Sequence, residues 1–286
     1  MNIKYLIALL RPKQWIKNLI LFAALVFSRN LFDFGLFLKT FCGFLTFCLF
    51  SSSVYIINDI ADREKDRLHP QKKLRPLASG KLSLSAAAGL LAVILSAAIF
   101  FSYRLKPAFM VMGLLYLVLM LAYTFFLKNI VILDVLTISI GFVIRGVTGS
   151  ILINVYFSNW LLLCTILLAL FLALQKRKAE LLNVPSGESG SRKTLTYYTP
   201  DFINEMLNVV TSCTLMSYCL YTLSYDHTEL MTTIPVVLYG IFRYQYLSGK
   251  GLTEAPEHVL LRDKPLLVTV LIWVVMCVFI LYAGIF

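Results

Sequence analysis

Nowhere in the 286 residues is there a polar stretch long enough to fold as a domain in water, and charged residues make up only 14% of the chain. With 59% hydrophobic residues and a mean hydropathy of +0.80, the sequence is too apolar, and too evenly so, for a soluble globule. Reactive side chains are also scarce. The three histidines, at 69, 227 and 258, are too scattered for a zinc site. All six cysteines (Cys42, Cys48, Cys164, Cys213, Cys219 and Cys277) lie in apolar runs with no CxxC pair, and read as small core hydrophobes. A net charge of +11 would suit a nucleic-acid partner, but the basic residues sit in short loops between apolar runs rather than on one soluble face. Topology therefore explains the charge, and nucleic acid is excluded. There is no low-complexity tract and no convincing internal repeat; SGESGSR at 186–192 is the one stretch that reads as flexible.

What the sequence does have is apolar runs of the length needed to cross about 30 Å of hydrocarbon at 1.5 Å per residue. They recur over 14–28, 35–57, 84–103, 107–126, 131–153, 157–178, 202–224, 231–248 and 265–285. This predicts an all-α fold: one polytopic membrane bundle of about nine helices spanning 1–286. The opening MNIKYLIALLRPKQW has too short an apolar stretch before Arg11 for a cleaved signal and reads as an interfacial helix. With the N-terminus inside, inner segments carry 21 of the 26 Lys and Arg. That bias predicts a multi-pass protein of the cell membrane, N-terminus cytoplasmic and C-terminus outside. The long inner loops, 58–83, 175–201 and 249–264, hold the polar clusters. Function is therefore expected on the cytoplasmic face.

The richest cluster is YIINDIADREKDRLHPQKKLRPLASG at 55–80. On a helix continuing past the second span, Asp59, Asp62 and Asp66 fall within about 60° of one another at 100° per residue, so they can share one target. Asn58 adds an amide oxygen at the edge of that face. Hard carboxylate oxygens are what Mg²⁺ prefers, with phosphates completing its shell. The plainer reading is a solvated face paired to Arg63 and Arg67, but the acids begin inside the apolar run VYII, where ionisable groups are costly and usually functional. Lys72, Lys73 and Arg75 follow between two prolines as a basic loop, a combination that fits a metal-bridged phosphate as well as a membrane anchor.

LRPKQWIKN at 10–18 places Arg11, Lys13 and Lys17 around Trp15. Snorkelling bases with a belt tryptophan would look the same, but Lys17 and Asn18 lie deeper than an anchor requires. QKRKAELL brings Lys176, Arg177 and Glu180 to the inner end of the sixth span, where Lys176 and Glu180, one turn apart, can simply pair. Asp134 and Arg145 are three turns apart in the fifth span and face the same way, roughly 16 Å apart along the axis. A buried arginine there needs a partner or a polar cavity. Gly141, Gly146 and Gly149 nearby suit close helix packing. In the last inner loop Glu254, Glu257, Arg262 and Asp263 read equally as a cap over the site or a solvated connection. A transporter would place charges deep in several spans, and only Arg145 sits so deep.

NDIADREKD fits the NDxxDxxxD signature of the UbiA superfamily of intramembrane prenyltransferases, which the chain resembles. Taken in order, RPKQWIKN, NDIADREKDRLHPQKKLRPLASG, YTFFLKNIVILD, QKRKAEL and EAPEHVLLRD extend the resemblance along nearly the whole chain to the phosphoribosyl-transferring branch of that superfamily. The resemblance implies a nine-span bundle in which the first aspartate-rich motif binds a diphosphate through Mg²⁺. It also implies transfer of a 5-phosphoribosyl group from phosphoribosyl diphosphate to a polyprenyl phosphate, with diphosphate released. Asp59, Asp62 and Asp66 would be catalytic and, with Asn58, metal ligands. Lys17, Asn58, Lys73, Arg75, Arg145, Lys176 and Arg177 would bind phosphates, and Tyr123, Lys128, Asp134 and Glu180 would support them. Where other branches carry further aspartates after the sixth span, this chain reads QKRKAELLN, basic with a single Glu180, which favours a donor with an additional phosphate. The alternative is a prenyl-diphosphate donor with an aromatic or other lipid acceptor. Membrane lipids are the other partners implied, and a homo-oligomer is left open.

Overall fold

The computed structural model describes residues 3–68, 72–183, 193–224, 228–252, 259–260 and 262–283. The three histidines, the SGESGSR stretch, Glu254 and Glu257 lie outside these residues. Helix α1 (Ile3–Leu10) ends at Arg11, whose backbone is left-handed (φ 51°), and a nine-residue 3-10 helix, Pro12–Ile20, then runs into α2 (Leu21–Phe27). There follow α3 (Phe34–Ala61), α4 (Arg63–Leu68), α5 (Leu84–Leu105), α6 (Pro107–Phe125), α7 (Leu133–Ile153), α8 (Asn159–Asn183), α9 (Pro200–Ser224), α10 (Ile234–Gly249) and α11 (Lys264–Tyr282). No strand occurs among the described residues.

Local chemistry sets these limits. Asp33, Ser83 and Asp263 cap α3, α5 and α11 by accepting the backbone N–H three residues on, at 2.9, 3.2 and 2.9 Å. Between α5 and α6 only Lys106 is extended, and Pro107, which has no N–H to satisfy, starts the next helix.

Seven helices, α3, α5, α6, α7, α8, α9 and α11, are long and apolar enough to cross a membrane, so the protein is a multi-pass membrane protein. The other two expected spans are shorter. The first is the 3-10 helix with α2, and the eighth is the 16-residue α10 with a 3-10 turn before it. The sixth span runs past its expected limit at 178: α8 continues to Asn183, so Glu180 lies on the same helix as Lys176 and Arg177.

In their most apolar stretches α3 and α7 are 61% buried but α5 only 17%, which puts α3 and α7 at the centre and α5 at the periphery. Around them pack Leu21 and Leu25 of α2, Phe47 and Phe50 of α3, Phe109 and Tyr116 of α6, and Leu152 of α7. A Cβ at Gly149 would run into the Leu21 carbonyl, so glycine there lets α2 lie directly on α7. Outward-facing Phe34, Val93, Val275 and Phe279 form the lipid face.

At one end of the bundle a separate cluster joins Leu9, Ile56, Leu77 and Ile94. Leu9 is two residues before Arg11, Ile56 three before Asp59, and Leu77 two after Arg75. Burying these apolar neighbours together is what brings the three charged side chains into contact.

Candidate active site

The aspartate-rich stretch departs from the single continuous helix expected of it. α3 stops at Ala61, Asp62 (φ −94°, ψ 6°) interrupts, and α4 begins at Arg63. Backbone bonds from Asp62 N to Asn58 O (2.9 Å) and from Asp66 N to Asp62 O (2.8 Å) carry the path across the break, so Asp59 and Asp66 still converge. Both accept from Nη1 of Arg75, at 3.1 and 2.5 Å, and Asp59 also accepts from Arg11. The Asp59 and Asp66 oxygens are thus no farther apart than those two bonds laid end to end. Asp62 turns instead to Lys128, whose ammonium donates to its two oxygens at 2.8 and 2.9 Å. Each carboxylate therefore meets a cation delivered by another segment: the end of α1, the loop after α4, or the α6–α7 loop. The bases of the plainer reading go elsewhere, since Arg67 pairs with Glu64 at 2.9 Å and Arg63 comes only within 4.0 Å of Glu64.

Of the other expected residues, Arg75 reaches the acids while Lys73, two positions earlier on a 3-10 turn, is exposed. Asn58 is half-buried at the end of α3, and Lys17 is half-buried on the 3-10 helix. Arg11, which depth along the first span passed over, is the cation that meets Asp59 from that segment. Its signal was its place just before Pro12, at the inner end of that span and so level with Asp59. Trp15 is not a lipid-facing belt residue: it donates to Ser52 of α3 at 3.1 Å, and Ser52 donates to the Leu10 carbonyl at 2.8 Å.

A second cluster lies at the start of α7 and the end of α8. Asp134 accepts from Arg177 Nε at 2.7 Å and from the Tyr198 hydroxyl at 2.7 Å, and Arg177 also donates to Glu180 and, at 3.5 Å, to Tyr123. Arg177 is 1% exposed. Expected to face a phosphate, it has its guanidinium turned inward here, with its charge met by two carboxylates. Lys176 stands 3.9 Å from Glu180, as the one-turn spacing anticipated. Burial and the adjoining Asp134 carboxylate push the pKa of Tyr198 well above the usual phenol range, so it remains a donor.

Arg145 is buried in the middle of α7, on the same helix as Asp134 but with partners of its own. It donates to Asn18 Oδ1 at 2.9 Å, the Gly141 carbonyl at 3.1 Å and the Tyr116 hydroxyl at 2.7 Å, and lies against the rings of Tyr116 and Phe142. Asn18 in turn donates to Ser51 at 3.0 Å. The network ties the 3-10 helix to α3, α6 and α7.

Among the described residues no three acid, histidine or cysteine side chains converge as they stand on a point where a metal could sit. Magnesium seldom needs such a cage, because it usually takes one or two carboxylates and completes its shell with waters and substrate phosphates. Asp59 and Asp66, drawn together on one guanidinium nitrogen, supply that donor set once Arg75 turns away, with Asp62 one helical turn from each. The residues present fit the ion.

The model of the UbiA prenyltransferase family matches residues 19–258. Decaprenyl-phosphate phosphoribosyltransferase of Mycolicibacterium smegmatis is 33% identical to this chain, over 94% of it and 90% of the relative. The enzyme of the same name from Corynebacterium glutamicum is 32% identical, over 97% and 86%. A UbiA homolog from Archaeoglobus fulgidus, solved bound to GPP and Mg2+, shares the fold with a TM-score of 0.77 at 18% identity, over 97% of this chain and 99% of that one.

Proposed function

The chain belongs to the UbiA prenyltransferase family, and from that membership we propose that it transfers a 5-phosphoribosyl group from phosphoribosyl diphosphate to a polyprenyl phosphate, releasing diphosphate. It is a transferase. Relatives of about one-third identity over nearly the full length, named for that reaction, support the substrate pair. The observation that carries the site is the matching of Asp59, Asp66 and Asp62 to Arg11, Arg75 and Lys128, three carboxylates interleaved with three cations. A donor diphosphate and a divalent ion are of opposite charge and would divide between these two sets.

Asp59, Asp62 and Asp66, with Asn58, would hold Mg²⁺, which when bound supplies charge neutralisation on the leaving diphosphate. Arg11, Arg75 and Lys128 then turn from the carboxylates to phosphate oxygens, the two arginines with forked geometry suited to them. Lys17, Lys73 and Lys176 add positive charge around the donor and acceptor phosphates. The acceptor phosphate is already ionised near neutral pH, so its oxygen bonds to the ribose C1 as the bond from C1 to the diphosphate oxygen breaks. No strong general base is needed, and the chain's task is orientation and charge. Asp134, Arg177, Glu180 and Tyr123 hold the inner ends of α6, α7 and α8 together, and Arg145 anchors the 3-10 helix. The polyprenyl tail remains against the lipid-facing helices.

The bundle crosses the membrane nine times. The 3-10 helix contributes about 2.0 Å per residue and α2 about 1.5 Å, so these two segments together reach about 28 Å, close to the hydrocarbon thickness. By the same rises the six-residue 3-10 turn and the 16-residue α10 together reach about 36 Å, enough to cross. The excess of Lys and Arg at the end bearing Asp59 supports a topology with that end and the N-terminus in the cytoplasm and the C-terminus outside.

Purified protein should be offered labelled phosphoribosyl diphosphate with a polyprenyl phosphate and, separately, prenyl diphosphate with an aromatic acceptor. Label passing to the lipid in the first mixture alone is the expected result; product in the second alone would replace this reading with prenyl transfer.

A further inference from the structure

Helix α7 begins in an unusual way. The residue before it, Ile132, has φ 70° and ψ −46°, a region that a β-branched side chain rarely adopts, and isoleucine has no polar atom with which to cap a helix. One side chain meets this backbone. The Tyr198 hydroxyl accepts the Ile132 N–H at 2.9 Å and donates its own proton to Asp134 at 2.7 Å, while Asp134 is fixed from its other oxygen by Arg177 at 2.7 Å. Four residues before Ile132, in the same connection between α6 and α7, Lys128 grips Asp62. A strained residue persists only where its surroundings over-determine it, and here the hydroxyl supplies that constraint.

We propose that Tyr198 is a positioning residue, a clasp that holds the α6–α7 connection in its strained form and thereby sets Lys128 against Asp62. The role of Lys128 toward the donor diphosphate rests on the phosphoribosyl-transfer reading above; the clasp itself does not. Tyr198→Phe keeps the ring and removes both hydrogen bonds. Without them Ile132 relaxes from positive φ and Lys128 leaves Asp62. Glycine at 132 adopts positive φ without strain, so Ile132→Gly restores much of what Tyr198→Phe loses.

Full-length protein in detergent is acylated briefly with an amine reagent, and modification of Lys128 is read by mass spectrometry relative to exposed Lys73. Lys128 is expected to react at least threefold faster in Tyr198→Phe than in the parent, and to return most of the way in Tyr198→Phe/Ile132→Gly, with Ile132→Gly alone close to the parent. In the transfer assay Tyr198→Phe should raise the donor KM about tenfold with the lipid KM unmoved, and add nothing further in a Lys128→Ala background. Equal Lys128 reactivity in parent and Tyr198→Phe overturns the clasp, as does a KM effect that persists in full without Lys128. Should the parent transfer no phosphoribosyl group, the reactivity ratios alone decide: a threefold rise reversed by glycine supports the clasp, and only the functional reading falls.

Discussion

Arg177 and Asp134, 43 residues apart in the chain, lie 2.7 Å apart with both side chains sealed from solvent, at 1% and 0% exposure. This closed pair differs in kind from the Asp62–Lys128 pair, whose members are 21% and 11% exposed and open to exchange. Removing Arg177 takes the bonded cation from the buried Asp134 carboxylate, whereas Arg177 would keep Glu180 if Asp134 were removed. Arg177→Met is expected to lower stability by about 3–5 kcal/mol, seen as earlier thermal unfolding in detergent, while Arg177→Met combined with Asp134→Ala recovers much of the loss.

Arg75 draws two carboxylates together with one nitrogen, at 3.1 and 2.5 Å. Lysine keeps the charge but not the planar fork. Arg75→Lys should raise the donor KM about tenfold, worth about 1.4 kcal/mol, while leaving the lipid KM unchanged in steady-state transfer assays.

Because the described acids require a cation to face a diphosphate, turnover should depend on divalent metal. Excess chelator is expected to stop product formation and added Mg²⁺ to restore it; full turnover in chelator would remove the metal from the account.

Asp263, just ahead of α11 and outside the spanning segments, accepts from Arg243 of α10 at 3.1 and 2.7 Å, a pairing that holds its carboxyl below the usual carboxylate range. A depressed value stabilises the folded state above the ordinary carboxylate pKa, about 3.9, and the contribution disappears as pH falls through the folded value. Asp263→Asn should therefore unfold earlier than the parent at pH 7, with the gap closing as pH falls below the ordinary carboxylate pKa. A gap that stays constant with pH would contradict the pairing.

The acids were legible in the sequence because ionisable side chains inside an apolar run are costly, so Asp59 and its neighbours stood out against VYII. Span limits were legible for the same reason, and α5, for instance, begins at Leu84 where the apolar run does. Partners were not. Nothing local ties Arg11 to Asp59, 48 positions away, or Arg177 to Asp134, and helical spacing placed Asp134 and Arg145 on one helix without revealing that they bond to different neighbours. Lys73 and Arg75 have the same charge in one short loop, and which of them reaches the acids depends on Leu77 docking beneath, a tertiary event. The 3-10 winding of Pro12–Ile20 left no mark in hydropathy, because the apolar positions suit either helix.

The most direct measurement is phosphoribosyl transfer by purified Asp62→Asn and Asp59→Asn proteins whose elution profile and melting match the parent. The carboxylate site predicts no label in the lipid fraction from either variant. Transfer at the parental rate by either one would contradict it.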